Sequence, residues 1–128
     1  DHPVKLLGLF ISQSSEVGDA AEEMMRLEII RGHTSSGSGG SAATPVPIDP
    51  ADPAAGFAAE INNTTIASSG STVVLHSECL NERVGMGLWW TPECAPMAIH
   101  ANTTIVVRLI DAPADSVTMS GTLYVEEM

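Results

Sequence analysis

Apolar residues recur at every second position in several segments of the chain, and this is the period of a β-strand. Near the C-terminus Val117, Met119, Gly121, Leu123 and Val125 share one face, and the mostly polar residues between them share the other. Such alternation is typical of an antiparallel strand with one solvated face. The pattern therefore predicts β-structure at this end of the chain.

Further alternating segments lie upstream, and each of them predicts a strand. They are residues 105–109, 84–90, 73–75 and 57–61. The segment Asp111-Ala-Pro-Ala-Asp115 follows residue 110, and it predicts a turn because Pro113 has no backbone donor. We expect the strands on either side of this turn to form a hairpin.

The N-terminal segment from Val4 to Ile11 is almost continuously apolar and is interrupted only by Lys5 and Gly8. A run of this kind suits a strand that is covered on both faces or that lies in a subunit contact. It therefore supplies the first candidates for partner contacts.

The segment from Asp19 to Arg31 fits two structures. Asp19 and Glu22 have the spacing of a capping box, which favours a helix. Met25, Leu27 and Ile29 alternate with their neighbours, which favours a strand. We favour a strand from about Met24 to Arg31 and keep the helix as the alternative.

Between Gly32 and Gly56 the composition changes to Gly, Ser and Pro, without Lys or Arg. This pattern predicts a long extended surface segment, through which we expect no ladder to run. Together with about eight short strands, it predicts an all-β fold: an antiparallel β-sandwich or barrel, with jelly-roll topology as the leading candidate. The length of 128 residues fits one domain, which we take as residues 1–128 with the 32–56 segment inside it.

The chain is strongly acidic, with 16 Asp and Glu against 5 Lys and Arg and a formal net charge of −11. Repulsion from phosphates disfavours direct binding to nucleic acid or to an anionic membrane. The apolar runs are far shorter than the ~20 residues that cross a bilayer. We expect a soluble mature domain or fragment.

Candidate metal ligands are few and poorly spaced. His76, Cys79, Cys94 and His100 are residue types that zinc prefers, but their spacing is not that of a zinc finger, and we predict no metal site. Two interpretations of Cys79 and Cys94 stay open. They form a disulfide, which would stabilise the fold by roughly 3 kcal/mol, or they are small buried thiols.

Other chemical signals have simpler explanations. The acidic residues Asp49, Asp52, Asp111 and Asp115 lie in Pro-containing turns, where Asp is favoured for local hydrogen bonding. The Asn-x-Thr triplets that begin at residues 62, 63 and 102 match the acceptor pattern for N-glycosylation, but we favour turns that lead into strands. No nucleophile elbow, phosphate loop or metalloprotease motif occurs, so we predict a non-enzymatic protein without catalytic residues or cofactor.

Trp89 and Trp90 are adjacent, so in a strand they point to opposite sides and only one of them enters the core. The other needs a cover. Two covers are compatible with the sequence, namely a second protein surface and the 32–56 segment of the same chain.

Two stretches resemble the small all-β auxiliary proteins of tailed-bacteriophage particles. They are Arg31-Gly-His-Thr-Ser-Ser-Gly-Ser-Gly-Gly40 with the Pro-rich segment that follows it, and the closing residues from Ala112 to Glu127. The resemblance implies a virion protein that decorates and cements the outer surface of the head. It also implies a homo-oligomer, such as a trimer, that binds the major capsid protein lattice.

The acidic composition suits the outside of a particle, and the Pro-rich segment suits a span to a neighbouring subunit. The candidate subunit or partner contacts are Leu6, Leu7, Leu9, Phe10, Pro45, Pro47, Ile48, Trp89 and Trp90. The main alternative is a non-viral binding module, carbohydrate-binding or adhesin-like, in which Trp89 or Trp90 provides a stacking surface.

Overall fold

The computed structural model describes residues 2–15, 23–98, 103–114 and 116–128. These residues contain nine β-strands and no helix. The strands are β1 (Val4–Gln13), β2 (Met24–His33), β3 (Ser41–Ala43), β4 (Ala59–Ile61), β5 (Val73–Asn81), β6 (Met86–Trp89), β7 (Met97–Ala98), β8 (Thr104–Leu109) and β9 (Met119–Glu127).

The first sheet is organised around β1. Strand β9 pairs with β1 along one edge, from Val4 opposite Glu127 to Gln13 opposite Met119. Strands β6 and β7 pair end to end along the other edge, and all of these pairings are antiparallel. The register with β9 shifts between Leu6 and Gly8, which makes Leu7 the extra residue of a β-bulge.

The second sheet is organised around β2, which lies between β5 and β8 in antiparallel pairing. The strand predicted from about residue 24 to residue 31 is therefore confirmed. The capping-box pair Asp19 and Glu22, on which the helical alternative depended, lies outside the described residues.

The buried faces of the two sheets meet in one hydrophobic cluster. Its fully buried members are Leu6 and Leu9 from β1, Met25, Leu27 and Ile29 from β2, and Leu80 from β5. Since both sheets contribute to the same cluster, they pack face to face as an antiparallel sandwich. The predicted all-β class is thus confirmed, whereas the jelly-roll topology stays a prediction.

The hairpin predicted on either side of the Pro113 turn is wrong. Strand β8 pairs with β2 in the second sheet, and β9 pairs with β1 in the first. The chain that joins them crosses from one sheet to the other. Alternation decides which side chains face the core, but a strand on either side of that core satisfies the same pattern.

The prediction that no ladder runs through residues 32–56 is also wrong. Strand β3 pairs with β4, and isolated bridges join Ser35 to Ser68 and Ser38 to Thr65. Residues 33–69 therefore form a long two-stranded excursion, which we call the hairpin arm. The residues of β3 are Ser and Ala, which have backbone N–H donors that can pair with β4. The strand ends shortly before Pro45, which lacks a backbone donor.

Two glycines hold the base of the hairpin arm. Gly32 and Gly70 have φ of 95° and 83°, in the left-handed region that glycine alone adopts without cost. They also touch, because a Cβ on Gly70 would lie 2.1 Å from the carbonyl oxygen of Gly32. The two ends of the arm therefore leave the sandwich side by side.

Candidate functional site

An aromatic patch lies on the solvent face of the first sheet. We define it as Phe10, Trp89, Thr122 and Tyr124, which line one shallow concave surface. The register brings them together, since Gly8 lies opposite both Trp89 and Tyr124, and Phe10 lies opposite Thr122. The patch thus spans three neighbouring strands, β6, β1 and β9.

Two glycines allow the rings to lie against the sheet. A Cβ on Gly8 would lie 2.4 Å from Cε3 of Trp89, and a Cβ on Gly87 would lie 2.7 Å from Cδ1 of Phe10. Each ring therefore occupies the space above the glycine that faces it on the neighbouring strand. Trp89 still keeps 63% of its surface exposed. The hairpin arm does not bury Trp89. The expectation that the 32–56 segment of the same chain covers this residue is therefore not met.

The rings contact one another as well as the sheet. Tyr124 stands edge-on to both neighbours, with ring centroids 6.1 Å from Phe10 at 86° and 5.5 Å from Trp89 at 61°. Phe10 and Trp89 are 6.3 Å apart and tilted by 46°. These are favourable aromatic geometries, so the trio is held in place before any partner arrives.

Among the residues that the structure describes, no charged side chain lines the aromatic patch. The neighbouring row of the same face carries the hydroxyls of Ser12 and Ser120. Toward the other end of the strands, Lys5 and Glu126 form an ion pair of 3.7 Å. In a chain with a net charge of −11, the patch is therefore a neutral and largely apolar area that is suited to an uncharged partner.

A second exposed surface lies at the end of the hairpin arm. We call residues 44–53 the Pro-rich tip. Val46 and Ile48 are 81% and 88% exposed, and Pro45 and Pro47 are half-buried. The end of the tip is ordered by Asp49, whose side chain accepts a hydrogen bond of 2.9 Å from the amide of Ala51.

One contact fixes the chain just beyond the tip to the sandwich. The amide of Gly56 donates to both carboxylate oxygens of Glu127, at 3.0 and 3.1 Å. Nδ1 of His2 lies 2.8 Å from the same carboxylate. The Pro-rich tip is thus presented from a fixed point at the end of β9.

The predicted partner contacts divide into three groups. Leu6 and Leu9 are core residues with 2% and 3% exposure, so their assignment to a partner surface is wrong. Leu7, in the bulge, is half-buried, and Trp90 packs on the core beside His76, with ring centroids 5.7 Å apart. The remaining candidates lie in the aromatic patch or the Pro-rich tip; they are Phe10, Trp89, Pro45, Pro47 and Ile48.

No protein-family model, curated protein or solved structure matches this chain.

Neither interpretation of the cysteines holds. Cys79 and Cys94 are free in the structure, so the disulfide is not formed, and both are exposed rather than buried. Cys79 lies opposite Arg26 on the solvent face of the second sheet, and Cys94 lies in the loop after β6. The spacing of the two cysteines in the sequence could not predict these positions, because they depend on how the strands pair.

Among the described residues, no three His, Cys, Asp or Glu side chains gather as metal ligands would. His100 and Asp115 lie outside that part of the chain. Within the same residues, no helix is long and apolar enough to cross a membrane.

Asp111 has a structural partner in Arg26. Its carboxylate accepts hydrogen bonds of 2.9 and 3.0 Å from Nε and Nη2 of Arg26. These bonds lower the pKa of Asp111 and raise that of Arg26. The pair ties the turn after β8 to β2.

Proposed function

We propose that this protein is a structural binding protein, namely a head decoration protein that attaches as a homo-oligomer to the outer surface of a tailed-phage capsid. The observation that carries the proposal is the exposure of large apolar side chains along the hairpin arm. They are Val46, Ile48, Ile61 and Ile66. An arm that exposes these residues is suited to packing against another protein surface.

The energetics of the arm support this proposal. A two-stranded hairpin is marginally stable by itself in water. Ala67 is the one buried apolar residue among residues 33–69, so the arm gains little from its own packing. Burying a side chain such as Ile48 against a partner contributes about 1.5–3 kcal/mol. Contact with a capsid lattice or a neighbouring subunit would therefore stabilise both the arm and the assembly.

Charge also supports an outer location. A net charge of −11 repels packaged DNA, so the inside of a head is an unfavourable place for this surface. The same charge carries no penalty on the solvent side of a particle. The resemblance to phage auxiliary proteins supplies the identity of the partner, the major capsid protein.

A sedimentation experiment tests the proposal. The wild-type protein is mixed with shells assembled from the major capsid protein of the phage that the proposal assigns as its source, and bound protein is measured in the pellet. We expect saturable binding, which Ile48→Asp in the tip weakens. Val84→Asp is the matched control, because Val84 is exposed in the turn after β5 and belongs to neither surface. Absence of wild-type protein from the pellet would contradict the proposal.

The aromatic patch favours a second candidate function, a carbohydrate-binding module. Trp89 lies against the sheet with much of its surface exposed, and Thr122 provides a hydroxyl beside it. Aromatic faces with neighbouring hydroxyls suit sugar rings. A glycan array distinguishes the two candidates, since binding that Trp89→Ala abolishes would support the carbohydrate-binding module.

A further inference from the structure

We propose that the Pro-rich tip of one copy binds the aromatic patch of a second copy. This inference rests on the proposed function, which requires a homo-oligomer, and it names the two surfaces that would build it. Val46, Ile48 and Trp89 are all highly exposed in the single chain. The tip therefore does not occupy the patch of its own molecule, and both surfaces are available to another copy.

The tip has the chemistry of a polyproline II ligand. Its sequence Thr44-Pro-Val-Pro-Ile-Asp-Pro50 has prolines at positions 45, 47 and 50, and each proline fixes φ near the polyproline II value. No helix or strand is formed over residues 44–48. Because the prolines restrict the unbound segment, less conformational entropy is lost when it binds.

The patch has the chemistry of a surface that binds such a ligand. Polyproline II segments dock on clustered aromatic side chains. A polyproline II helix has three residues per turn and rises about 3.1 Å per residue, so two of its three rows of side chains can contact one surface. The ring centroids of the patch are 5.5 to 6.3 Å apart. The three rings therefore cover a length of about two residues of such a ligand. Tyr124 and Trp89 also carry polar groups that can donate to the carbonyls of the ligand, which have no partners within the helix.

The charge distribution favours a copy of the same chain at this position. Two molecules with a net charge of −11 repel each other over most of their surfaces, but the four residues that define the patch are uncharged. Asp49 at the end of the tip is engaged in its own turn with Ala51. Each copy gives a tip and receives one, so two copies can exchange tips in a dimer. When the donor and the receiver are different neighbours, the contact is heterologous and forms a ring, such as the expected trimer, if the rotation between copies closes.

Sedimentation velocity over a concentration series tests the two surfaces separately. We expect the wild type to self-associate, and we expect Ile48→Asp and Trp89→Ala each to weaken self-association about 30-fold or more, as for an interface hot spot. Val84→Asp serves again as the control and should assemble like the wild type. Circular dichroism and thermal unfolding establish that each variant is folded. If Trp89→Ala does not fold, Tyr124→Ala takes its place.

Mixing the two defective variants gives the sharper test. The Trp89→Ala variant keeps an intact tip, and the Ile48→Asp variant keeps an intact patch. A tip-to-patch contact therefore predicts that a mixture of the two monomeric variants forms a heterodimer of one copy of each. Patch-to-patch association would not restore assembly in this way. A mixture that stays monomeric would overturn the inference.

Two further results would overturn it: a wild type that stays monomeric at millimolar concentration, and wild-type assembly by the Ile48→Asp variant. Trp89-dependent glycan binding that is unchanged by Ile48→Asp would assign the patch to sugars instead. The outcome is distinguishable from that of the shell-binding experiment. Assembly through tip and patch without shell binding rejects the decoration function alone, whereas shell binding by a monomer rejects this inference alone.

Discussion

Replacing Gly8 by Ala tests how the aromatic patch is built. The new Cβ would lie 2.4 and 2.5 Å from Cε3 and Cζ3 of Trp89. Carbon atoms pack best at about 3.5–4.0 Å, so the indole would have to move by about 1 Å. The backbone of β6 cannot follow easily, because Trp89 is paired with Gly8 across the ladder. The ring must therefore rotate away from the sheet.

The expected cost combines three effects. Overpacking of this kind costs about 1–3 kcal/mol. Rotation of the indole also weakens its contact with Tyr124, and such aromatic pairs contribute about 0.5–1.5 kcal/mol. Replacing a strand glycine by alanine by itself raises the free energy of unfolding by about 0.5–1 kcal/mol. This gain applies here because the φ of Gly8 is not in the left-handed region. We expect Gly8→Ala to lower the free energy of unfolding by about 2 kcal/mol.

Chemical denaturation followed by far-ultraviolet circular dichroism measures this loss in two backgrounds. In a Trp89→Ala background the clash with the indole is absent and the nearest remaining atom is Cε2 of Phe10 at 3.3 Å. The loss caused by Gly8→Ala should therefore disappear, and any gain in the free energy of unfolding should be at most about 0.5–1 kcal/mol. Gly87→Ala is the matched control. Its Cβ would meet Phe10 rather than Trp89, so its cost should persist in the same background. Equal losses for Gly8→Ala in both backgrounds would refute this account of the patch.

Three further predictions concern stability and thiol chemistry. Glu82 is 1% exposed, and neither of its carboxylate oxygens has a hydrogen-bond partner among the described residues. Glu82→Leu should therefore raise the free energy of unfolding by about 1–3 kcal/mol, and an unchanged or lower value in denaturation would contradict this. Because Arg26 lowers the pKa of folded Asp111, their pair stabilises the fold above the ordinary Asp range and is lost as the pH falls through the folded pKa. The melting temperature of Asp111→Asn should therefore lie below that of the wild type at neutral pH and converge with it in acid, and a constant difference would argue against the pair. A thiol reagent should modify both Cys79 and Cys94 in the folded protein, whereas a bridge would leave none reactive.

Local side-chain periodicity predicted much of the fold. The alternation of Met25, Leu27 and Ile29 places these side chains in the core, and the strand β2 follows from it. The opposite orientations of Trp89 and Trp90 follow from the same rule, since Trp90 packs on the core and Trp89 is exposed. Such predictions succeed because they depend on residues that are close together in the sequence.

The sequence pattern did not predict which strands pair with each other. Tyr124 belongs to the polar face of its segment in the sequence, yet it joins the aromatic patch because β9 pairs with β1. The burial of Leu6 and Leu9 was not distinguished from a partner contact, because a continuous apolar run fits both. In each case the deciding contact joins residues that are far apart along the chain, and periodicity carries no information about it.

The open edges of the two sheets have a consequence for handling the protein. Strands β5 and β9 lie at the edges of their sheets, and such edges can template unwanted pairing between molecules. Glu78 on β5 and Glu126 on β9 are exposed there, within a strongly anionic surface. Colloidal stability therefore depends on ionised carboxylates. Acidification neutralises these carboxylates, so the sheet edges of different molecules repel each other less and can aggregate. At neutral pH the edges of different molecules repel each other, and the uncharged surfaces remain as the places where two molecules can make contact.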